Sequence, residues 1–134
     1  MTLEKVIRVV IGHYNDASYI ERVIAAFRKL LIDVEWIWGR RINDVYEIYL
    51  GVKEHPNLKL VILNLSKTVG VESVELLIDA KVEKYVYING DFKKIDETNN
   101  ENINNSIIRQ FTIYIPIYTR IAGYRWGEKY GEDI

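Results

Sequence analysis

Cysteine is absent from the 134 residues, which excludes disulfides, thiol catalysis and cysteine-ligated zinc. Histidine is nearly absent: His13 and His55 are the only two, too few for a histidine-rich metal site. An excess of one charge is also lacking. Eighteen Lys and Arg stand against 19 Asp and Glu, and the basic residues are dispersed. That balance leaves no electrostatic footprint for nucleic acid or for an anionic membrane. No apolar run approaches the ~18 residues of a membrane span. The opening "MTLEKVIRVVIGH" is broken by Glu4, Lys5 and Arg8 and lacks a signal-peptide h-region. A soluble, cytoplasmic chain is expected.

Recognisable reaction motifs are missing too. Neither Gly-x-Gly-x-x-Gly nor Gly-Lys-Ser/Thr occurs, so no phosphate loop is expected. Ser18, His13 and Asp16 invite a triad, but all three sit around one turn, and triads are defined by geometry, not by nearness in sequence. The expectation is a non-enzymatic chain with no catalytic residue, no metal site and no cofactor of its own.

What is present is periodicity. Lys5–Gly12 is rich in Val and Ile and reads as a buried strand. After the turn His13–Ala17 the period changes. Ile20, Val23, Ile24, Phe27, Leu30 and Leu31 mark one helical face, with Glu21, Arg22, Arg28 and Lys29 opposite. A strand from Asp33 to about Ile42 and another over Val45–Lys53 flank the turn signal Asn43-Asp44, which predicts a hairpin. On the first of these, Val34, Trp36 and Trp38 should share a side. Pro56 suits a helix start, Leu58, Val61, Ile62, Leu65 and Val69 give a second stripe, and Gly70 suits its C-terminal end. A fourth strand spans Val71–Ile78.

That order predicts an α+β, ferredoxin-like βαββαβ fold over residues 1–80: a four-stranded antiparallel sheet with two helices on one face. Residues 81–134 read as a short β-rich C-terminal extension. Val82–Ile88 alternates as a strand, Asp96–Asn105 is polar and loop-like, and Phe111–Arg120 is β-like with Pro116 at an edge or an end. "WGEKYGEDI" has no clear period. One face of the predicted sheet is left without helices, and the aromatic residues suit a subunit interface. A homodimer or higher oligomer is expected, and no nucleic-acid or membrane partner.

Three stretches carry a family resemblance: Asn15-Asp16-Ala17-Ser18, then "VIAAF", then Asp33-Val34-Glu35, followed at a distance by "KVEKYVYI". They resemble the ACT domain, and more specifically the small regulatory subunit of acetolactate synthase (acetohydroxyacid synthase), over about residues 4–88. The family's turn glycine corresponds to Ser18 and its strand-opening asparagine to Asp33. The resemblance implies an ACT-like sensor that binds and activates the catalytic subunit of acetolactate synthase in branched-chain amino-acid biosynthesis, with valine-type feedback. It also implies effector positions at Asn15, Ser18 and Asp33, with Asp16, Ala17 and Tyr19 in the same turn, in a pocket shared between two chains. Two alternatives stand beside it: an ACT-like amino-acid sensor with another target, and an oligomeric scaffold that has lost ligand binding.

The same turn has a purely structural reading. Ser18-Tyr19-Ile20-Glu21 fits a capping box, in which Ser18 accepts from the third helical N–H and Glu21 reaches back. Such a cap would occupy the donors that an effector carboxylate needs.

Overall fold

A computed structural model describes residues 4–12, 17–88, 90–95 and 111–133. The expected polar loop Asp96–Asn105, and with it His13, Asn15 and Asp16, lies outside the described residues. The chain divides into two compact units: Met1–Ala80 with Tyr118–Ile134, and Lys81–Ile117.

The first unit contains β1 (Glu4–Ile11), α1 (Ala17–Lys29), β2 (Val34–Ile42), β3 (Val45–Lys53), α2 (Leu58–Ser66) and β4 (Val71–Leu77). The four-stranded ferredoxin-like, ACT-like sheet expected for these residues is not what the chain forms. Two further strands, β8 (Ile121–Arg125) and β9 (Glu128–Gly131), extend it into a six-stranded sheet in the order β2-β3-β1-β4-β8-β9. β8 pairs antiparallel with β4, with Val74 opposite Tyr124 and Leu77 opposite Ile121. Residues 121–131 therefore complete the first sheet instead of belonging to an extension. Their signal was muted because Ala122 and Gly123 leave little hydrophobic alternation in β8. The turn that joins them, Trp126 (φ 54) and Gly127 (φ 79), is a two-residue hairpin connection with both residues left-handed.

The core lies between the sheet and the two helices. Ile7, Val9 and Ile11 of β1, Ile48, Leu50 and Val52 of β3, and Val74 of β4 meet Val23 and Phe27 of α1 and Val61, Ile62 and Leu65 of α2. Each such side chain, fully withdrawn from water, contributes about 1.5–3 kcal/mol. The α1 stripe holds at Val23 and Phe27 but ends early. Leu31 adopts φ 63, turns the chain out of the helix and exposes its side chain. The Ile32 N–H closes the end by donating to the Phe27 carbonyl at 3.0 Å. Asn57 ties the start of α2 to this end, its Nδ2 donating to the Leu30 carbonyl at 3.0 Å.

α2 stops at Ser66, four residues before Gly70, so Gly70 is not its terminal glycine. Gly70 has φ +93, and a Cβ there would meet the Tyr19 ring at 2.3 Å. The register of β2 also departs from expectation. A bulge between Val34 and Trp36 turns Val34 to the helix side, against the core, whereas Trp36 and Trp38 face the helix-free side.

The second unit is a three-stranded antiparallel sheet in the order β6-β5-β7, built from β5 (Lys81–Ile88), β6 (Asp91–Ile95) and β7 (Phe111–Ile117). Pro116 sits opposite Val82 on β7, an edge strand, the position in a sheet where proline is tolerated.

Candidate functional site

The expected effector residues are dispersed. Asn15 and Asp16 lie outside the described residues, and of Ala17 only the backbone is described, as the first residue of α1. Ser18 therefore sits inside the first turn of the helix and not before it as an N-cap. Tyr19 is a packing residue: its ring fills the space left open at Gly70, and the Arg22 guanidinium lies 4.8 Å from the ring centre. Asp33 is exposed beyond the other end of α1, with Lys53 Nζ 3.9 Å from its carboxylate. Eleven helical steps separate Ser18 from Lys29, about 16 Å at ~1.5 Å per step. Ser18 and Asp33 of one chain thus cannot touch one small ligand.

A cleft of about 310 Å³ opens elsewhere, where the N-terminal half of α1 overhangs the β2–β3 hairpin. Ile20, Ile37, Tyr46 and Ile48 form its apolar walls, and Gly39, Arg40 and Arg41 complete it. The hairpin places these residues. Asn43 (φ 53) makes the tight turn that sets Arg41 opposite Tyr46 and Gly39 opposite Ile48. Gly39 keeps the cleft open, because a Cβ there would lie 3.3 Å from Ile48 Cγ1 and 3.0 Å from the Glu47 carbonyl. The sequence signal was the glycine in mid-strand beside two arginines, "WGRR", since strand glycines mark close approach of a ligand or another backbone.

The cleft has donors at its rim. Arg41 Nε donates to the Asn43 carbonyl at 3.2 Å, whereas the Arg40 side chain turns to the helix-free side, its Nε 3.4 Å from Glu47 Oε1. Among the described residues the Arg41 contact engages only its Nε, so its terminal nitrogens can meet a carboxylate at the cleft. β2 is an edge strand of its sheet, so its outward backbone carbonyls are acceptors suited to an ammonium group. Apolar walls and few polar groups in this volume range are the make-up of a small-molecule pocket.

On the helix-free side of the sheet a second polar cluster centres on Arg8. Its Nε donates to Glu47 Oε2 at 2.7 Å and its Nη1 to Glu75 Oε1 at 2.9 Å. Tyr130 donates to Glu75 Oε2 at 2.9 Å and Tyr49 to Glu47 Oε2 at 3.3 Å. The Trp38 ring stacks on Tyr49 with centres 4.9 Å apart. Burial pushes the Glu47 carboxyl up, but the bonds and charge of Arg8, with Arg40 and Tyr49, outweigh it and hold the group below its ordinary value. Burial, then the bond to Glu75, pushes the Tyr130 hydroxyl up to about 12. Every carboxylate oxygen of the cluster is engaged, so this is a tie across β3, β1, β4 and β9 and not a reactive centre. Sequence reasoning missed it because its members lie 39 and 67 residues apart from Arg8.

His55 serves its turn, with Nδ1 accepting from the Asn57 N–H at 3.0 Å. Among the described residues no group of three or more His, Cys, Asp or Glu could hold a metal ion, and no helix is long and apolar enough to cross a membrane. No family model matches the sequence, and no curated protein matches it.

Proposed function

We propose that this protein is a non-catalytic regulatory protein whose α1–β2 cleft takes a small carboxylate with an apolar side chain, of the amino-acid class. In its particular form the reading is the one the Asn15–Ser18 resemblance implies. The chain acts in the cytoplasm as a subunit that binds and activates the catalytic subunit of acetolactate synthase, with a branched-chain amino acid as effector. The observation that carries the reading is the cleft itself: apolar walls from Ile20, Ile37 and Ile48 beside Arg41. An effector there touches α1 and the edge strand β2 together. Binding that favours one arrangement of those two elements is linkage, and a partner that reads the same elements senses it.

Two measurements test the reading. Calorimetry with valine, leucine and isoleucine should give heat with at least one, and Arg41→Met should weaken binding about tenfold or more, the loss of one charge-assisted bond. No heat with any of them overturns the effector class. Activity of an acetolactate synthase catalytic subunit should rise on adding the protein and respond to the effector. An unchanged rate removes that partner and leaves the cleft to another target.

A further inference from the structure

The basic residues that are dispersed in the sequence are gathered by the fold. α1 and α2, with Lys67 capping the end of α2, carry the five cations Arg22, Arg28, Lys29, Lys59 and Lys67 against the single acid Glu21. The whole chain is close to balanced, so the helix layer is its positive side. Between the two helices runs a groove of about 470 Å³. Arg22, Ala25, Ala26 and Lys29 line it from α1, and Asn64 and Thr68 line it from the other side. The helices run antiparallel along it: Tyr19 meets Gly70 at one end, and Asn57 bonds to the Leu30 carbonyl at the other. Arg22 and Lys29 stand seven helical steps apart, about 10 Å. Arg22 leans away from Lys29, with its guanidinium 4.8 Å from the centre of the Tyr19 ring. The two cations therefore mark opposite ends of the groove. Both are exposed, and among the described residues neither has an ion-pair partner and no carboxylate lines the groove.

We infer that this groove docks an acidic amphipathic helix of a partner protein. A ligand that answers both cations must carry two anions about 10 Å apart, more than a single phosphate or carboxylate spans. A helix with two acidic residues seven positions apart carries them at that same spacing and on one face. Ala25 and Ala26 keep the floor of the groove low between the cations, so a third helix can approach to the usual interaxial distance of about 8–10 Å. Leu60 lies one turn before Asn64 on the same face of α2 and is 47% exposed, which supplies an apolar contact beside the charges. The mode is helix-in-groove recognition, with apolar contact for affinity and the two charges for register and direction. The inference stands apart from the effector reading, because the groove and the α1–β2 cleft share no lining residue.

Fluorescence anisotropy of the full chain with a labelled synthetic helix tests it. The probe carries a stripe of leucines beside two glutamates seven residues apart, and at low salt it should bind with a dissociation constant of about 10–100 µM. Replacing both glutamates by glutamine, or moving one to the opposite face of the probe, should weaken binding about tenfold or more. Lys29→Glu should weaken it as much with the far-UV circular dichroism unchanged, and a probe with lysine in place of the matching glutamate should restore it. Arg22→Gln, at the other end of the groove, decides should Lys29→Glu unfold. No binding at millimolar probe overturns the inference, and so does binding indifferent to the spacing of the glutamates or a charge swap that fails to restore it. Tighter binding to phosphatidylserine vesicles or to RNA than to the probe, lost in the same variants, assigns the groove to another polyanion and also overturns it.

Discussion

Replacing Arg8 by methionine probes the polar tie on the helix-free side of the sheet. Arg8 is 24% exposed, and its partners Glu47 and Glu75 are 10% and 11% exposed. The substitution keeps most of the aliphatic stem and removes the charge, leaving two carboxylates largely out of water. Breaking a fully buried ion pair on one side costs about 3–5 kcal/mol, and the partial exposure here, with Tyr49, Tyr130 and Arg40 still donating, lowers the expectation to about 2–3 kcal/mol at neutral pH. Urea unfolding followed by fluorescence of Trp36 and Trp38, which flank the cluster, reads it as a lower midpoint at unchanged slope. The pH dependence has a definite sign. In the native chain the Glu47 carboxyl lies below its ordinary value, so its contribution is present above the unfolded pKa and lost as pH falls through the folded one. Without Arg8 the main influence holding the Glu47 carboxyl down is gone, and burial, offset only by Arg40 and Tyr49, weighs against its charged form, so protonation then costs the fold less. The deficit of Arg8→Met should therefore shrink between pH 7 and about pH 4. Adding Glu47→Gln and Glu75→Gln to Arg8→Met should recover part of the loss at pH 7. A deficit below about 0.5 kcal/mol, the range of an ordinary surface change, or one that does not vary with pH, would refute the reasoning.

Three further outcomes are expected. Gly70→Ala combines a left-handed backbone with a clash against Tyr19, and should cost about 2–4 kcal/mol by chemical denaturation, with Tyr19→Ala relieving only the clash. Trp126→Asn places Asn-Gly in the β8–β9 turn, where Trp126 is left-handed, and should stabilise by about 0.5–1 kcal/mol, visible as a higher melting temperature. Asp79 accepts from the Thr119 hydroxyl, then from the Arg120 and Thr119 N–H groups, and its carboxyl is held at about 2. That depressed value gives stability present above the unfolded pKa and lost as pH falls toward 2. Acid titration of Asp79→Asn should therefore show a flatter profile below about pH 4, and an unchanged profile would count against the loop anchor.

The parts of the molecule legible in the sequence are those in which neighbours in the chain decide the outcome. Val45–Lys53 forms a strand with the expected bounds because Asn43-Asp44 stops one strand and starts the next, and Val23 and Phe27 are buried because a helix repeats its face every three to four residues. What escaped is decided by distant pairings. The β8 strand is recognisable only against β4, because Gly123 gives up its side chain to make room for the Tyr130 ring and so erases the alternation that would announce a strand. One bulged residue between Val34 and Trp36 moves Val34 to the face opposite the two tryptophans, a change of side that period-two counting cannot register. The same logic governs the sites. The turn Asn15–Ser18 attracts notice because it is contiguous. Arg8 with Glu47 and Glu75, and Gly39 beneath Ile20, exist only once β1, β3 and α1 are stacked.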